Sequence, residues 1–231
     1  RGVIAMSDYQ ISASNYNNLS SKEIEGGYVL FNEIALKHWK KLFTTWIECI
    51  SNFCNQTNGM PPYLDNEMGN VGLLMSAAWL TKGIAVCEKL VNHDDRDTKV
   101  RLDLWMKLAD NDIEDFIEAK HTYHIEKFKK DKITSDKYDY TYLKAKVIER
   151  AGKTIITNNQ RALAIIFLTQ NINKYKAGTN LNVDDKIKLL LNEPTIRDKF
   201  DAVAWCFPKI MKNKDFPGVI LSVKCVSSCL R

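Results

Sequence analysis

Proline and glycine are scarce in this 231-residue chain, at 5 and 10 residues. That scarcity excludes collagen-like, Pro-rich and low-complexity architectures. Also missing is any run of about 18 uncharged apolar residues, the least a bilayer-crossing helix needs; even 71–80 is flanked by Asn70, Thr81 and Lys82. Residues 1–9 have neither the basic start nor the continuous apolar stretch of a secretory signal. Met6 is the expected native start, with residues 1–5 an upstream remnant. The cysteines Cys49, Cys54, Cys87, Cys206, Cys225 and Cys229 are scattered through apolar segments and form no framework spacing. Free thiols and a cytoplasmic location are therefore expected, and the glycosylation-type triplets at Asn18 and Asn55 are then chance matches. Charge of one sign is not in large excess: 33 Lys and Arg against 28 Asp and Glu leave +5, too little to single out a polyanionic partner.

What the chain does contain is enough apolar material for one core. Hydrophobic residues make up 45% and charged residues 26%, so residues 1–231 are read as a single domain. Ser20 and Glu23 have the spacing of a capping box, which predicts a long helix and a helical N-terminal segment over about 20–60. Within it Trp39, Leu42, Phe43, Trp46, Ile47, Ile50 and Phe53 recur at three- and four-residue steps on one buried stripe. Asn58, Gly59, Pro61 and Pro62 mark a loop. Asp65 or Asn66 caps a second helix running to about Thr81, with Leu74, Ala78 and Trp79 inward. Strands are expected over 84–91, 162–168, 202–207 and 219–226, a hairpin over 100–108 and 113–122, and helices over 140–156 and 184–191. That order predicts a mixed α/β fold around one sheet.

The hairpin carries the chemistry. With its loop centred between Asp110 and Asn111, opposed residues have numbers summing to 221. Asp103 then faces Glu118, Arg101 faces Lys120, Trp105 faces Phe116 and Lys107 faces Glu114, all on one side. The other side is apolar, through Leu102, Leu104, Met106, Leu108, Ile113, Ile117 and Ala119, with Asp115 its single charge. Directly opposed Cβ atoms lie ~4.5–5.5 Å apart, so Asp103 and Glu118 bring two carboxylates together. A shared proton, a basic neighbour or a divalent metal has to compensate them. Lys120 can pair diagonally with Asp103 or stand beside a metal. The plainer alternative is a solvated face in which Arg101–Glu118 and Asp103–Lys120 form ordinary salt bridges worth little.

Asp103, fourteen residues, then Glu118-Ala119-Lys120, on a hairpin between helices and a buried strand, resembles the PD-(D/E)XK phosphodiesterase superfamily. The likeness covers roughly residues 65–170. It implies a restriction-endonuclease-like mixed sheet flanked by helices, with N-terminal helices and C-terminal strands over about 171–231 added to it. It also implies a magnesium- or manganese-dependent nuclease in which Asp103 and Glu118 bind the metal, the Ala119 carbonyl adds a ligand, and Lys120 assists the attacking water. Glu67 is the candidate for the further acidic ligand that some members take from the first core helix. The segment Arg101-Leu102-Asp103-Leu104-Trp105 departs from the motif's name, because no proline precedes the aspartate.

The implied partner is nucleic acid, DNA ahead of RNA, with a homodimer as a further expectation and no membrane. Lys144, Lys146, Arg150 and Lys153 on the helix over 140–156, with the lysine-rich 124–137 before it, could track a phosphate backbone or simply be solvated. His121 and His124 lack two further ligands for zinc, as do Cys225 and Cys229. No glycine-rich phosphate loop or local nucleophile signature is present. A competing reading keeps this core without turnover, as a binding module working through its N-terminal helices.

Overall fold

A computed structural model of the protein describes residues 16–22, 24–64, 66–93, 96–109, 111–122, 159–169, 183–192, 200–211 and 218–228. The expected helix over 140–156, the basic stretch before it and Cys229 lie outside these described residues. In chain order the elements are β1 (Tyr16–Asn18), β2 (Ile24–Leu30), α1 (Glu33–Leu36), a 3-10 turn (Lys37–Trp39), α2 (Lys40–Gln56) and α3 (Glu67–Leu80). They continue with β3 (Ile84–Cys87), β4 (Leu90–His93), β5 (Arg96–Arg101), β6 (Leu104–Lys107), β7 (Glu114–Thr122), β8 (Gln160–Leu168), α4 (Val183–Leu191), β9 (Ala202–Pro208) and β10 (Val219–Ser228). The fold is α/β. One mixed eight-stranded sheet runs β1-β2-β9-β10-β8-β7-β6-β3, and β4 and β5 form a separate pair. Within the large sheet β7 and β8 are parallel, and the other neighbours are antiparallel.

Both faces of the sheet centre are covered. Leu163, Ile165 and Phe167 of β8 join the core under α2 and α3, while Ala162, Ala164, Ile166 and Leu168 pack with Ile187, Leu190 and Leu191 of α4. A strand buried on both sides has no polar alternation to show, which is why 162–168 is continuously apolar. The stripe of α2 is buried as its spacing requires, except that Phe53 at the end is 39% exposed. Asn66 caps α3, its side chain accepting from the Gly69 amide at 2.8 Å. Helices α2 and α3 end alike. Asn58 and Lys82 turn through φ 56° and 65°, and the Gly59 and Gly83 amides donate back to Cys54 and Ala78 at 2.7 and 2.9 Å, closing the last turns.

Four expectations are corrected. Ser20 does not start a helix. It stands between β1 and β2, its amide donating to the Asn18 side chain, and Glu23 lies outside the described residues. Two glycines weaken a helix there, and Gly27 lets strands meet where an added Cβ would lie 2.4 Å from the Asn17 carbonyl and 2.7 Å from the Trp205 ring. The strand expected over 84–91 breaks at Glu88, whose φ is 56°, so β3 and β4 belong to different sheets. Trp79 is 53% exposed, its indole donating to the Ala85 carbonyl at 3.1 Å instead of filling the core. The C-terminal strands β9 and β10 are no appendage, since they stand between β2 and β8 near the middle of the sheet. Among the described residues, no helix is long and apolar enough to cross a membrane.

A buried ion pair crosses the parallel strands. Asp115 of β7 and Arg161 of β8 are register partners, and both side chains are essentially inaccessible. The Arg161 Nε donates to Asp115 Oδ1 at 2.8 Å, and its Nη atoms reach Asp115, the Ala35 carbonyl and the His38 ring. The Trp39 indole donates to Asp115 Oδ2 at 2.8 Å. Burial alone would push the Asp115 carboxyl up, but Arg161 and His38 together hold it below its ordinary value. Its contribution to stability is therefore complete above the unfolded value of about 3.9 and lost as pH falls through the lower folded value. Asp115→Asn leaves Arg161 without its counter-charge and is expected to cost about 3–5 kcal/mol in urea unfolding at pH 7. The gap between variant and wild type should begin to narrow below about pH 4 and close only below the lower folded value.

Candidate active site

The predicted hairpin register holds where the ladder exists. Leu104 pairs with Ile117, Trp105 with Phe116, Met106 with Asp115 and Lys107 with Glu114. It stops short of the predicted length because the chain leaves the sheet at Leu102 and Asp103. The Leu102 amide donates to the Lys89 carbonyl, and the Glu88 amide to that of Asp103. Arg101 thus pairs with Leu90 in the small sheet and binds Glu88 at 3.2 Å, so it does not face Lys120. Leu102 packs with Phe116 and Trp105 instead of joining Leu104.

The strand break is what exposes chemistry. The β6–β7 ladder ends at Leu104, and beyond it Asp103 supplies an acceptor to β7, its Oδ2 accepting from the Ala119 amide at 2.7 Å. Lys120 is a short step further along β7. Its Nζ binds both carboxylate oxygens of Glu67 at 3.1 and 3.2 Å, lies 3.9 Å from Asp103 Oδ2, and donates to the Ala119 carbonyl. Glu67 opens α3, where the helix dipole favours a carboxylate. Oxygens from a helix start, a strand break and the β7 backbone thus converge on one ammonium. Asp103, Lys120 and Glu67 side chains are 19%, 18% and 30% exposed, so the group is reachable from solvent. Glu118, one residue before Ala119 on β7, is buried. Next to Lys120, burial lowers His121 to about 4, so its ring is neutral at pH 7 and meets the Thr169 hydroxyl at 3.0 Å.

The sequence-predicted residues divide clearly. Asp103, Ala119, Lys120 and Glu67 come together, and Glu118 lies in the same stretch of β7. Lys144, Lys146, Arg150 and Lys153 lie outside the described residues. The donor chemistry suits magnesium or manganese, since carboxylate and carbonyl oxygens are what such hard cations take. The place where these oxygens converge already holds a positive charge, that of Lys120. Even so, among the described residues no three His, Cys, Asp or Glu side chains stand together as a ready-made ligand group. A metal would have to displace the ammonium from Glu67 and Asp103.

The sequence reading missed the polar network at the other end of β7. Its signal was present: Asp115 is the lone charge on an apolar hairpin face, and Arg161 opens an apolar run. Two such isolated opposite charges on neighbouring strands indicate a buried pair. Comparison of the chain with protein-family models, with curated proteins and with solved structures returned no match.

Replacing Asp103 with alanine removes the acceptor of the Ala119 amide. The expected cost is about 1–3 kcal/mol in urea unfolding, with faster hydrogen exchange at Ala119 and unchanged protection at Ile165 in β8.

Proposed function

We propose that the protein is a divalent-metal-dependent nuclease hydrolysing phosphodiester bonds, with Asp103, Glu118, the Ala119 carbonyl and Glu67 as metal ligands and Lys120 beside the reacting water. The observation that carries this is the convergence of Glu67, Asp103 and the Ala119 carbonyl on the Lys120 ammonium. Support also comes from topology. Helix α3 is followed by β3, β6 and β7 in antiparallel succession and then by β8 parallel to β7, adjacent in the order β3-β6-β7-β8. That arrangement is in keeping with the restriction-endonuclease-like core that the sequence resembles.

A bound magnesium or manganese ion would supply positive charge against the anion that develops at phosphorus. The rest falls to the chain. Asp103, held by the Ala119 amide, keeps its carboxylate fixed at the strand break. Glu67 and Lys120 neutralise one another until substrate and ion arrive. Lys120, released from Glu67, can donate to the attacking water or to a phosphate oxygen, which orients the nucleophile and offsets charge.

A second reading, a nuclease-like binding module without turnover, is favoured by the lack of a ready-made three-ligand group among the described residues. Cleavage assays on single- and double-stranded DNA and RNA separate the two. Magnesium- or manganese-dependent cleavage should fall at least 100-fold in Asp103→Asn, Glu118→Gln and Lys120→Met, with circular dichroism and Tm retained. Calorimetric titration with manganese should show binding to the wild type that Glu118→Gln weakens. Intact substrates, with no metal-dependent rise in Tm, would leave the binding module.

A further inference from the structure

At the end of α3 opposite Glu67 lies a cavity of about 220 Å³. Its walls come from the 3-10 turn and start of α2, the end of α3 and the hairpin loop, and Lys37, His38, Lys40 and Lys41 line it with Asn111 and Thr81. The volume is far more than the roughly 10–15 Å³ a single water needs, and less than the roughly 300–1,000 Å³ of pockets for drug-sized ligands. A phosphate group with a small organic part is the scale that fits.

The charges are placed against local preference. Lys37 and Lys41 are four residues apart, a spacing at which like charges on a helical stretch repel. They stand at the start of α2, the positive end of its dipole. No acidic residue lies in the first turn of α2, and the residue before it gives no side-chain cap. Lys40 is answered by Glu33 at 2.5 Å. Lys37 and Lys41 have no ion pair among the described residues. Among the described residues, the acidic groups near the cavity are committed elsewhere: Asp112 to Lys107 at 3.2 Å, and Asp115 to Arg161 and Trp39. The Asn111 carboxamide oxygen accepts from the Ile113 amide at 3.1 Å, which leaves its NH₂ group as a donor. Leu42 and Leu108 add apolar wall, which strengthens a charge interaction beside it.

We infer that this cavity binds a phosphomonoester group, held by Lys37 and Lys41 and oriented by Asn111. An anion there relieves the repulsion between the two lysines and meets the helix dipole with the favourable sign. The site is independent of the metal chemistry proposed above, being at the far end of a 14-residue helix.

Isothermal titration at constant ionic strength tests it with inorganic phosphate, ribose 5-phosphate and ribose. Saturable binding of the two phosphates, with ribose silent, is expected. The double variant Lys37→Gln/Lys41→Gln should weaken it at least tenfold; both side chains are exposed, so folding should be retained. Lys209→Gln, at the Glu25 pair, and Asp103→Asn should bind as wild type does. No saturable phosphate binding, equal binding by the double variant, or the same heat from added chloride would overturn the site. A 5′-phosphorylated tetranucleotide and its 5′-hydroxyl form, competing against ribose 5-phosphate, identify the source. Displacement by the phosphorylated form alone assigns a nucleic-acid end, and displacement by neither assigns a small phosphorylated molecule. Equal displacement by both would mean general attraction for polyanions and would sink the proposal.

Discussion

The pairing of Asp115 with Arg161 across β7 and β8 constrains everything around it. The two residues are direct partners in the only parallel ladder among the described strands. A slip of one residue would send every side chain of β7 to the opposite face and strand two charges in apolar surroundings. With register held at one end, Glu118 and Lys120 at the other end of the same strand are set opposite Ala164 and Ile166. The pair also reaches Trp39, His38 and the Ala35 carbonyl, so it fixes the approach of α2 to the sheet as well as strand alignment.

The strand break after Arg101 has the opposite character. A regular ladder would satisfy backbone groups with backbone groups and leave side chains to stand off the sheet. Here the ladder ends, and a carboxylate takes over an amide at 2.7 Å. Electrostatics then gather around Lys120, because Glu67 of α3 and the Ala119 carbonyl of β7 both meet its ammonium here. The cost of bringing two carboxylates near each other is offset by one ammonium in a partly shielded position, where its attraction exceeds that of a surface salt bridge.

Periodic signals were readable from sequence, and signals that depend on distant partners were not. The stripe on α2, the Asn66 cap, the doubly buried β8 and the register of Trp105 against Phe116 follow from spacing alone. Asp103, Lys120 and Glu67 were legible as residues, and their convergence arises only in the folded chain. The strand at Ile24–Leu30 was not legible, since its capping-box pattern is local while its pairing partner β9 begins at Ala202. Arg101 and Leu102 were misassigned for a related reason: β4 and β5 form their own sheet and pull the chain away before Asp103. Lys37 and Lys41 look like any solvated pair in sequence, and become noteworthy only when the end of α3 and the hairpin loop form a cavity beside them.

The place of β9 and β10 bears on how the molecule comes into being. A nascent chain that has emerged through β8 already holds β2, but the strands that belong between them have not been made. Until residues near Ser228 leave the ribosome, β2 and β8 each present an open hydrogen-bonding edge with apolar side chains alongside. Contacts between Ile24 and Pro208 close a very long loop, the kind of connection that slows folding. Biogenesis of this sheet is thus a matter of waiting, with unpaired edges that invite wrong partners during the interval.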